Sequence, residues 1–164
     1  MIKFGTSGWR AIIADEFTFQ NVRRVSKAIY NYLIEEKKEI SFLVGYDTRF
    51  LADKFAKETA SFLQSLGSKV YLSLKDIPTP VIAFGIKELK LSGGINFTAS
   101  HNPPEYLGLK FSTSDGAPAP PEVTKKLEEN IRKIKDEEIK GINLASENIN
   151  DVDLSEAYFK KIQS

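Results

Sequence analysis

A stiff polar loop in the second half of the sequence brings together three side chains that can do chemistry. Ser100, His101 and Asn102 supply a hydroxyl, an imidazole and an amide in succession, and Pro103 and Pro104 follow directly. Both prolines fix their own φ, and Pro103 pushes Asn102 toward an extended backbone. A hydroxyl on a rigid backbone suits a nucleophile, because small errors of placement cost large factors in rate. The alternative is a plain turn whose polar side chains bond their own backbone.

A serine hydrolase is one enzyme class that such a loop could serve. Ser100 and His101 are adjacent in sequence, which does not by itself bring a hydroxyl to an imidazole. The sequence has no Gly-x-Ser-x-Gly elbow, and its one histidine leaves no second imidazole to serve as the base. A Ser-His-Asp hydrolase is therefore disfavoured.

A second polar segment stands near the N-terminus. The glycines of Gly5–Gly8 bracket the hydroxyls of Thr6 and Ser7, and Arg10 follows shortly after. Glycines let backbone N–H groups turn toward an anion, and a guanidinium can bind a phosphate through two N–H donors. Gly-x-x-Gly is also common in ordinary turns, and the sequence has neither a Walker A nor a Gly-x-Gly-x-x-Gly signature. Lys110 is a further cation that could reach the Ser100 loop, or else a solvated surface lysine.

The elements that must position these segments alternate between strand and helix. Apolar spacing predicts strands at Ser41–Tyr46, Lys69–Leu74, Gly94–Phe97 and Gly108–Ser112, and helices at Phe17–Glu36, Ala52–Leu66, Pro80–Leu89 and Pro121–Lys135. Thr18 is expected to cap the first helix, and Asp153–Glu156 is expected to open a last helix with a capping box. Between Ile139 and Val152 the periodic pattern weakens. The alternation predicts an α/β fold with helices on both faces of one sheet.

Polar segments follow three of the predicted strands. Asp47–Arg49 follows the first strand, Ile77–Pro80 follows the second, and the Ser100 loop follows the third. Ligands of open α/β sheets bind beyond the carboxyl ends of the strands. If these strands run parallel, the three segments meet at one edge of the sheet.

Composition excludes several function classes. The 164 residues suit a single domain, and 23 Lys and Arg against 22 Asp and Glu leave no overall charge to attract nucleic acid or an acidic membrane. Without cysteine there is no disulfide or thiolate chemistry, and one histidine rules out a two-histidine metal site. No stretch approaches a membrane span or a signal peptide, so we expect a cytoplasmic protein without nucleic-acid or membrane partners.

Four segments, taken together, resemble signatures of the alpha-D-phosphohexomutases, the phosphoglucomutase/phosphomannomutase family. Thr98–Pro104 is similar to their phosphoserine loop, continued by Glu105–Lys110, and the other three matches are Phe4–Arg10, Gly45–Arg49 and Pro78–Pro80. They occur in the family's order and spacing and cover the whole chain, which corresponds to N-terminal domain I of four. The resemblance implies a three-layer α/β/α sandwich with a mixed, mostly parallel sheet over residues 1–150. Residues 151–164 would begin a connecting helix toward a second domain.

The resemblance implies an isomerase that works by phosphoryl transfer. In the family, the serine matching Ser100 is phosphorylated and passes its phosphoryl group to a hexose phosphate. The bisphosphate intermediate reorients before it returns the other phosphate, and a bisphosphate of the glucose 1,6-bisphosphate type serves as activator. Mg²⁺ binds one oxygen of the phosphoserine and three aspartates of a second-domain Asp-Gly-Asp-x-Asp loop, a motif that this sequence lacks. We therefore expect the chain alone to be inactive and to need hexose phosphates and the other domains of the same enzyme as partners.

The site residues follow from the same resemblance. Ser100 would be the covalent carrier and, through its phosphate, a metal ligand. Arg10 and Lys110 match cations beside the reacting phosphate, and Lys110 could also act as general acid/base. His101 and Asn102 match residues that shape the loop, and for His101 an orienting role remains equally open.

Two further pairs are assigned by the resemblance. Thr6 and Ser7 would touch the phosphoserine, and Asp47 and Arg49 would form a structural ion pair that supports the loops. A Thr-Ser-Gly signature is more typical of glucose and mannose mutases than of glucosamine-type relatives, in which an aspartate often replaces the residue matching Ser7. The rival hypotheses are a non-catalytic sugar-phosphate-binding module and a serine phosphotransferase that acts alone.

Overall fold

One six-stranded sheet organises the computed structural model, which describes residues 1–140 and 149–164. The strands are β1 (Trp9–Ile12), β2 (Ser41–Tyr46), β3 (Lys69–Ser73), β4 (Gly93–Phe97), β5 (Tyr106–Thr113) and β6 (Asn150–Val152). They lie in the order β1-β5-β4-β2-β3-β6, and only β5 runs against its neighbours. The helices are α1 (Phe19–Ile34), α2 (Ala52–Ser65), α3 (Thr79–Glu88), α4 (Pro121–Lys133) and α5 (Ser155–Gln163). The predicted three-layer sandwich with a mixed, mostly parallel sheet is confirmed.

Each predicted helix and strand is present, but the sequence missed both edge strands. β1 begins directly after the Gly5–Gly8 segment, and β6 lies in the stretch of weak pattern. These strands have four and three residues, too few to show a clear alternation of apolar and polar residues. The rest of the weak stretch, residues 141–148, lies outside the described residues.

The helix ends test two capping predictions. Thr18 caps α1 as predicted, since its hydroxyl accepts the N–H of Asn21 at 3.2 Å. The capping box at Asp153–Glu156 is wrong: the Asp153 carboxylate accepts the N–H of Ser155 at 2.9 Å, but Glu156 pairs with the lysine one turn later. None of the helices in the described ranges is long and apolar enough to cross a membrane.

The larger core lies between one face of the sheet and helices α1, α2 and α4. Its centre is an aromatic cluster in which Phe17 stacks on Trp9 at 4.6 Å and meets Phe55 and Phe97 edge-on at 5.0 and 6.4 Å. All four rings are at most 2% exposed. Aromatic pairs in these geometries add to the stabilisation that burial provides. The cluster fixes β1, through Trp9, to the end of β4, through Phe97.

A smaller core lies on the opposite face, where α3 packs over β2 and β4. Ile82 and Ile86 of α3 face the sheet, and Gly94 lies beneath them. A Cβ atom at Gly94 would lie 2.6 Å from Cδ1 of Ile86, so the glycine permits the close approach of the helix. This packing sets the start of α3, at Thr79, beside the carboxyl edge of the sheet.

Replacing Phe17 with alanine should strongly destabilise the fold, because the ring is fully buried among three others. We expect Phe17→Ala to lower the free energy of unfolding by about 3–5 kcal/mol. The matched control is Phe50→Ala, whose ring is 72% exposed and should change stability by no more than about 0.5 kcal/mol. Urea unfolding of both variants tests the prediction, and equal losses would contradict the assigned core.

Candidate functional site

Three polar segments meet at the carboxyl edge of the sheet. β2 pairs in parallel with both β3 and β4, so the segments after these strands lie on one side. Two clefts open there. The loop cleft, about 500 Å³, is lined by Asp47, Thr48, Arg49, Phe50, Ser100, Asn102 and Pro104. The sheet cleft, about 340 Å³, is lined by Asp47, Ile77, Pro78, Thr79, Pro80, Asn96, Thr98, Ser100 and Lys110.

Ser100 borders both clefts on a backbone held at each end. Its φ of 55° lies in the left-handed region, which is uncommon for a residue other than glycine. The N–H of Ser100 donates to the Thr98 hydroxyl at 3.1 Å, and its carbonyl accepts from Arg49 at 2.8 Å. With both backbone groups engaged, the exposed hydroxyl is left to face the clefts. The hydroxyl lies 3.5 Å from Nδ1 of His101, at the outer limit of a hydrogen bond.

Arg49 donates hydrogen bonds to four backbone carbonyl groups of this loop. Its Nη2 donates to the carbonyls of Ser100 and Asn102 at 2.8 and 2.6 Å. Its Nη1 donates to those of Pro103 and Tyr106 at 2.9 and 3.1 Å. A planar guanidinium offers its donors in a fixed fork, so four bonds to one loop define that loop's shape.

The carboxylate of Asp47 contacts both the backbone and the side chain of Arg49. Its Oδ1 accepts the backbone N–H of Arg49 at 2.9 Å, and its Oδ2 lies 3.7 Å from Nε. The Asp47 N–H donates to the carbonyl of Phe97 at 3.0 Å, which joins this segment to the end of β4. The two side chains thus lie together, and the shorter contacts of the Arg49 guanidinium are with carbonyl oxygens.

Arg10 reaches the loop from β1. Its Nη1 donates to Oδ1 of Asn102 at 2.7 Å. Its side chain lies over Gly108, where a Cβ atom would be 3.0 Å from Cγ of Arg10 and 2.5 Å from the carbonyl oxygen of Thr98. Because Gly108 has no side chain, the Arg10 side chain can pass over it to reach the loop. Arg10 Nε is buried, with no hydrogen-bond partner within the described part of the chain.

Lys110 enters the sheet cleft from β5. It is directly opposite Asn96 of β4 in the antiparallel register, and it borders the same cleft as Ser100. Burial lowers the pKa of the Lys110 amine below its ordinary value, and the positive charge of Arg10 lowers that pKa further. An amine with a lowered pKa gives up its proton more readily than an exposed lysine does.

Thr6 and Ser7 stand apart from this arrangement. They form the exposed tip of a turn closed by two backbone hydrogen bonds between Gly5 and Gly8, at 2.9 and 3.1 Å. Neither residue lines the loop cleft or the sheet cleft. Gly8 has a φ of 82°, and a Cβ atom there would lie 2.3 Å from the carbonyl oxygen of Leu109, so the turn lies against β5.

Sequence reasoning assigned no individual role to three polar residues of the sheet cleft, Thr79, Asn96 and Thr98. Thr98 fixes the N–H of Ser100, and Asn96 donates from Nδ2 to the Thr79 hydroxyl at 3.1 Å. Alternation along β4 places residues 94, 96 and 98 on one face, which could have drawn attention to Asn96. Its burial depends on α3, however, and a local pattern does not reveal that contact.

The carboxylates of this domain do not form a metal site by themselves. Within residues 1–140 and 149–164 there is no group of three or more His, Cys, Asp or Glu side chains that could hold a metal ion. Asp47, the one carboxylate that lines the clefts around Ser100, is engaged with Arg49. The described residues therefore do not supply a complete Mg²⁺ site.

The site of this α/β domain thus combines an exposed hydroxyl on a braced loop with an arginine bonded to that loop and a partly buried lysine in the same cleft, a set of groups whose charge suits an anion. Residues 1–138 match the family model for phosphoglucomutase/phosphomannomutase, alpha/beta/alpha domain I. The chain belongs to this family and contains its domain I.

Individual relatives agree with the family model. The chain is 34% identical to a phosphoglucomutase of Staphylococcus saprophyticus, over 82% of this chain and 25% of that protein. It is also 34% identical to a phosphoglucosamine mutase of Prochlorococcus marinus, over 97% of this chain and 34% of the relative. A crystal structure described as a phosphomannomutase from Thermus thermophilus superposes with a TM-score of 0.87 at 39% identity, over 99% of this chain and 35% of the other. The chain spans only about a quarter to a third of these relatives.

Removing the Arg49 guanidinium should loosen the Ser100 loop. The N–H groups of Asn102 and Tyr106 bond within the loop, to the carbonyls of Ala99 and Pro103. In Arg49→Met we expect amide hydrogen exchange at these two positions to accelerate about tenfold or more, because the carbonyls that shape the loop lose their shared donor. Exchange measured by NMR tests this.

The matched control is Arg132→Met, whose side chain is 57% exposed on α4. This variant should leave exchange in the Ser100 loop unchanged. Equal exchange rates in the wild-type protein and Arg49→Met would remove the bracing role from Arg49.

Proposed function

We propose that this chain is the phosphoserine-bearing domain of a longer hexose-phosphate mutase that interconverts hexose 1-phosphates and hexose 6-phosphates. The observation that carries the proposal is the placement of Ser100. Its hydroxyl is exposed between two clefts while its backbone N–H and carbonyl are both held by the protein. Membership of the family supports the reaction class, since the named relatives are mutases.

The proposed chemistry needs one group on Ser100. A phosphoryl group on Oγ passes to a hydroxyl of the hexose phosphate: the bond from phosphorus to Oγ breaks, and a bond to the sugar oxygen forms. The sugar hydroxyl gives up its proton, and Oγ regains one. The resulting bisphosphate turns around in the site and returns its other phosphoryl group to Ser100. Such transfers depend mostly on positioning and on the stabilisation of charge, which a braced loop suits.

Two cations of this chain would stabilise the charge on the transferred group. Lys110 and Ser100 line the same sheet cleft, and Arg10 is bonded to Asn102, two residues along the loop. Cations fixed in advance near the phosphoryl oxygens lower the barrier without reorganisation at the moment of transfer. The lowered pKa of the Lys110 amine also suits an exchange of protons with Oγ or with the sugar hydroxyl.

The remaining roles belong to this proposal as well. Asp47 and Arg49 support the loop, Asn102 links it to Arg10, and His101 stands beside Oγ to shape the entrance. Mg²⁺ in the whole enzyme would supply a counter-charge to the phosphoserine, with its carboxylate ligands on a domain beyond this chain. A bisphosphate of the glucose 1,6-bisphosphate type would load Ser100 at the start.

Phosphorylation of Ser100 is the direct test. In the longer enzyme, incubation with glucose 1,6-bisphosphate and Mg²⁺ should add one phosphate to Ser100, seen as a mass increase that peptide mapping assigns to Thr98–Lys110. Ser100→Ala should remove the label, whereas the control Ser114→Ala, at an exposed serine in the turn after β5, should keep it. Label on another residue would defeat the assignment, and transfer by the isolated chain would favour a phosphotransferase that acts alone.

Lys110 should matter to turnover more than to folding. We expect Lys110→Ala in the longer enzyme to reduce kcat by about 10²–10⁴-fold, the range typical for loss of a general acid or base. Its urea unfolding should stay close to that of the wild-type protein. Lys125→Ala, an exposed lysine on α4, is the control and should keep full turnover. Wild-type turnover in Lys110→Ala would reduce this residue to a structural lysine.

A non-catalytic sugar-phosphate-binding module is the second candidate. It is favoured only by the incomplete site of this chain, since the described residues contain no metal-binding carboxylate group. Such a module would bind hexose phosphate beside Lys110 and never carry phosphate on Ser100. The labelling experiment therefore separates the two functions. The sugar itself stays open, because phosphoglucomutases and phosphoglucosamine mutases match the chain equally well.

A further inference from the structure

In the sheet, a buried asparagine side chain has a carbonyl oxygen that accepts no hydrogen bond from the described residues. Asn96 of β4 is only 4% exposed, and its Nδ2 donates to the Thr79 hydroxyl of α3 at 3.1 Å. Its Oδ1 is buried and has no hydrogen-bond partner among the described residues. A buried carbonyl oxygen without a donor is costly, so natural structures rarely leave one unpaired. The open side of this amide therefore needs a donor.

The residue across the strand pair has donors to spare. Lys110 of β5 is directly opposite Asn96 in the antiparallel register, and both line the sheet cleft. Side chains of directly opposed residues project from the same face with Cβ atoms about 4.5–5.5 Å apart. A lysine ammonium has three N–H donors, and in the described ranges no hydrogen bond or ion pair engages that of Lys110.

We propose that Asn96 is a positioning residue whose Oδ1 accepts a hydrogen bond from the ammonium of Lys110. The lysine stem is flexible enough to bring its head to the amide from the opposite strand. The bond to Thr79 fixes the amide, so that the oxygen branch, opposite the nitrogen branch, is the one left for the lysine. This role rests on the proposed function, because Lys110 matters there only if it faces a phosphoryl group.

The chemistry of an amide suits this place better than that of a carboxylate. The ammonium is repelled by Arg10, and it needs an acceptor to hold it beside the sheet. A carboxylate at position 96 would hold it more strongly, but it would cancel the charge that is needed for a phosphate. A neutral oxygen orients the ammonium and leaves its positive charge for the anion. Asn96 can therefore hold the lysine without neutralising the net positive charge of the site.

The contact can be measured in this chain without substrate. NMR of a sample labelled with ¹⁵N at the lysine amines follows each ammonium at one mildly acidic pH. In the wild-type protein, we expect the Lys110 ammonium to exchange its hydrogens about tenfold more slowly than the exposed lysines, because a bond to a charged donor must open first. We also expect a scalar coupling between Nζ of Lys110 and Cγ of Asn96.

Two variants of similar shape then separate the roles of the oxygen and of the packing. Asn96→Leu removes the acceptor and should bring Lys110 exchange up to the rate of the exposed lysines. Asn96→Asp restores an acceptor and should keep exchange slow. Lys87 and Lys125 serve as internal controls whose rates stay constant. If position 96 served only for packing, both variants would change thermal unfolding, and the exchange rate of the Lys110 ammonium would be the same in Asn96→Leu and Asn96→Asp.

The outcomes distinguish this inference from the proposed function. Fast exchange of Lys110 in the wild-type protein, or equal exchange in all three proteins, would overturn the contact and leave the phosphorylation of Ser100 untouched. If Asn96→Leu does not fold, the wild-type coupling and the slow exchange in Asn96→Asp decide the question. Conversely, the contact can hold even if no phosphate is ever found on Ser100.

Discussion

One guanidinium holds the site together. A loop that exposes a hydroxyl at a left-handed residue and then runs through two prolines has few N–H groups for its own carbonyls, since proline has none. Arg49 supplies the missing donors from outside the loop, with four bonds of 2.6–3.1 Å. Asp47 lies against the same guanidinium and offsets its charge. The exposed position of Ser100 is therefore set by two residues at the end of a neighbouring strand.

The large core determines where the cations stand relative to that hydroxyl. Trp9 and Phe97 both pack on Phe17, and each is next to a residue or loop of the site. β1 carries Arg10 directly after Trp9, and the Ser100 loop begins just beyond Phe97. The buried rings thus fix the separation between the two. A side chain held by a rigid cluster loses little further entropy when a ligand binds, and Arg10, bonded to Asn102, is held in this way.

The sequence predicted the features that depend on local patterns, but not the contacts between segments that are far apart in the chain. Helices and central strands followed from periodicity, and parallel strands placed Asp47 and Ser100 at one edge. The edge strand that carries Arg10 is too short for a pattern. Arg49 was expected to pair with Asp47, but its carbonyl contacts depend on where a loop more than fifty residues away comes to lie. The burial of Asn96 depends on the packing of α3, which is also a tertiary fact.

The charge around Ser100 supports the proposed phosphoryl transfer better than it supports hydrolysis. A serine hydrolase needs an imidazole that accepts the hydroxyl proton and an acid that orients the imidazole. Here Nδ1 of His101 is 3.5 Å from the hydroxyl on an exposed ring, and the nearby carboxylate of Asp47 is engaged with Arg49. The cations Arg10 and Lys110 remain on the sheet side, so the site carries a positive charge. Under the proposed function, these charges would stabilise a phosphate, and the proton exchange with Oγ would fall to the Lys110 amine rather than to an imidazole.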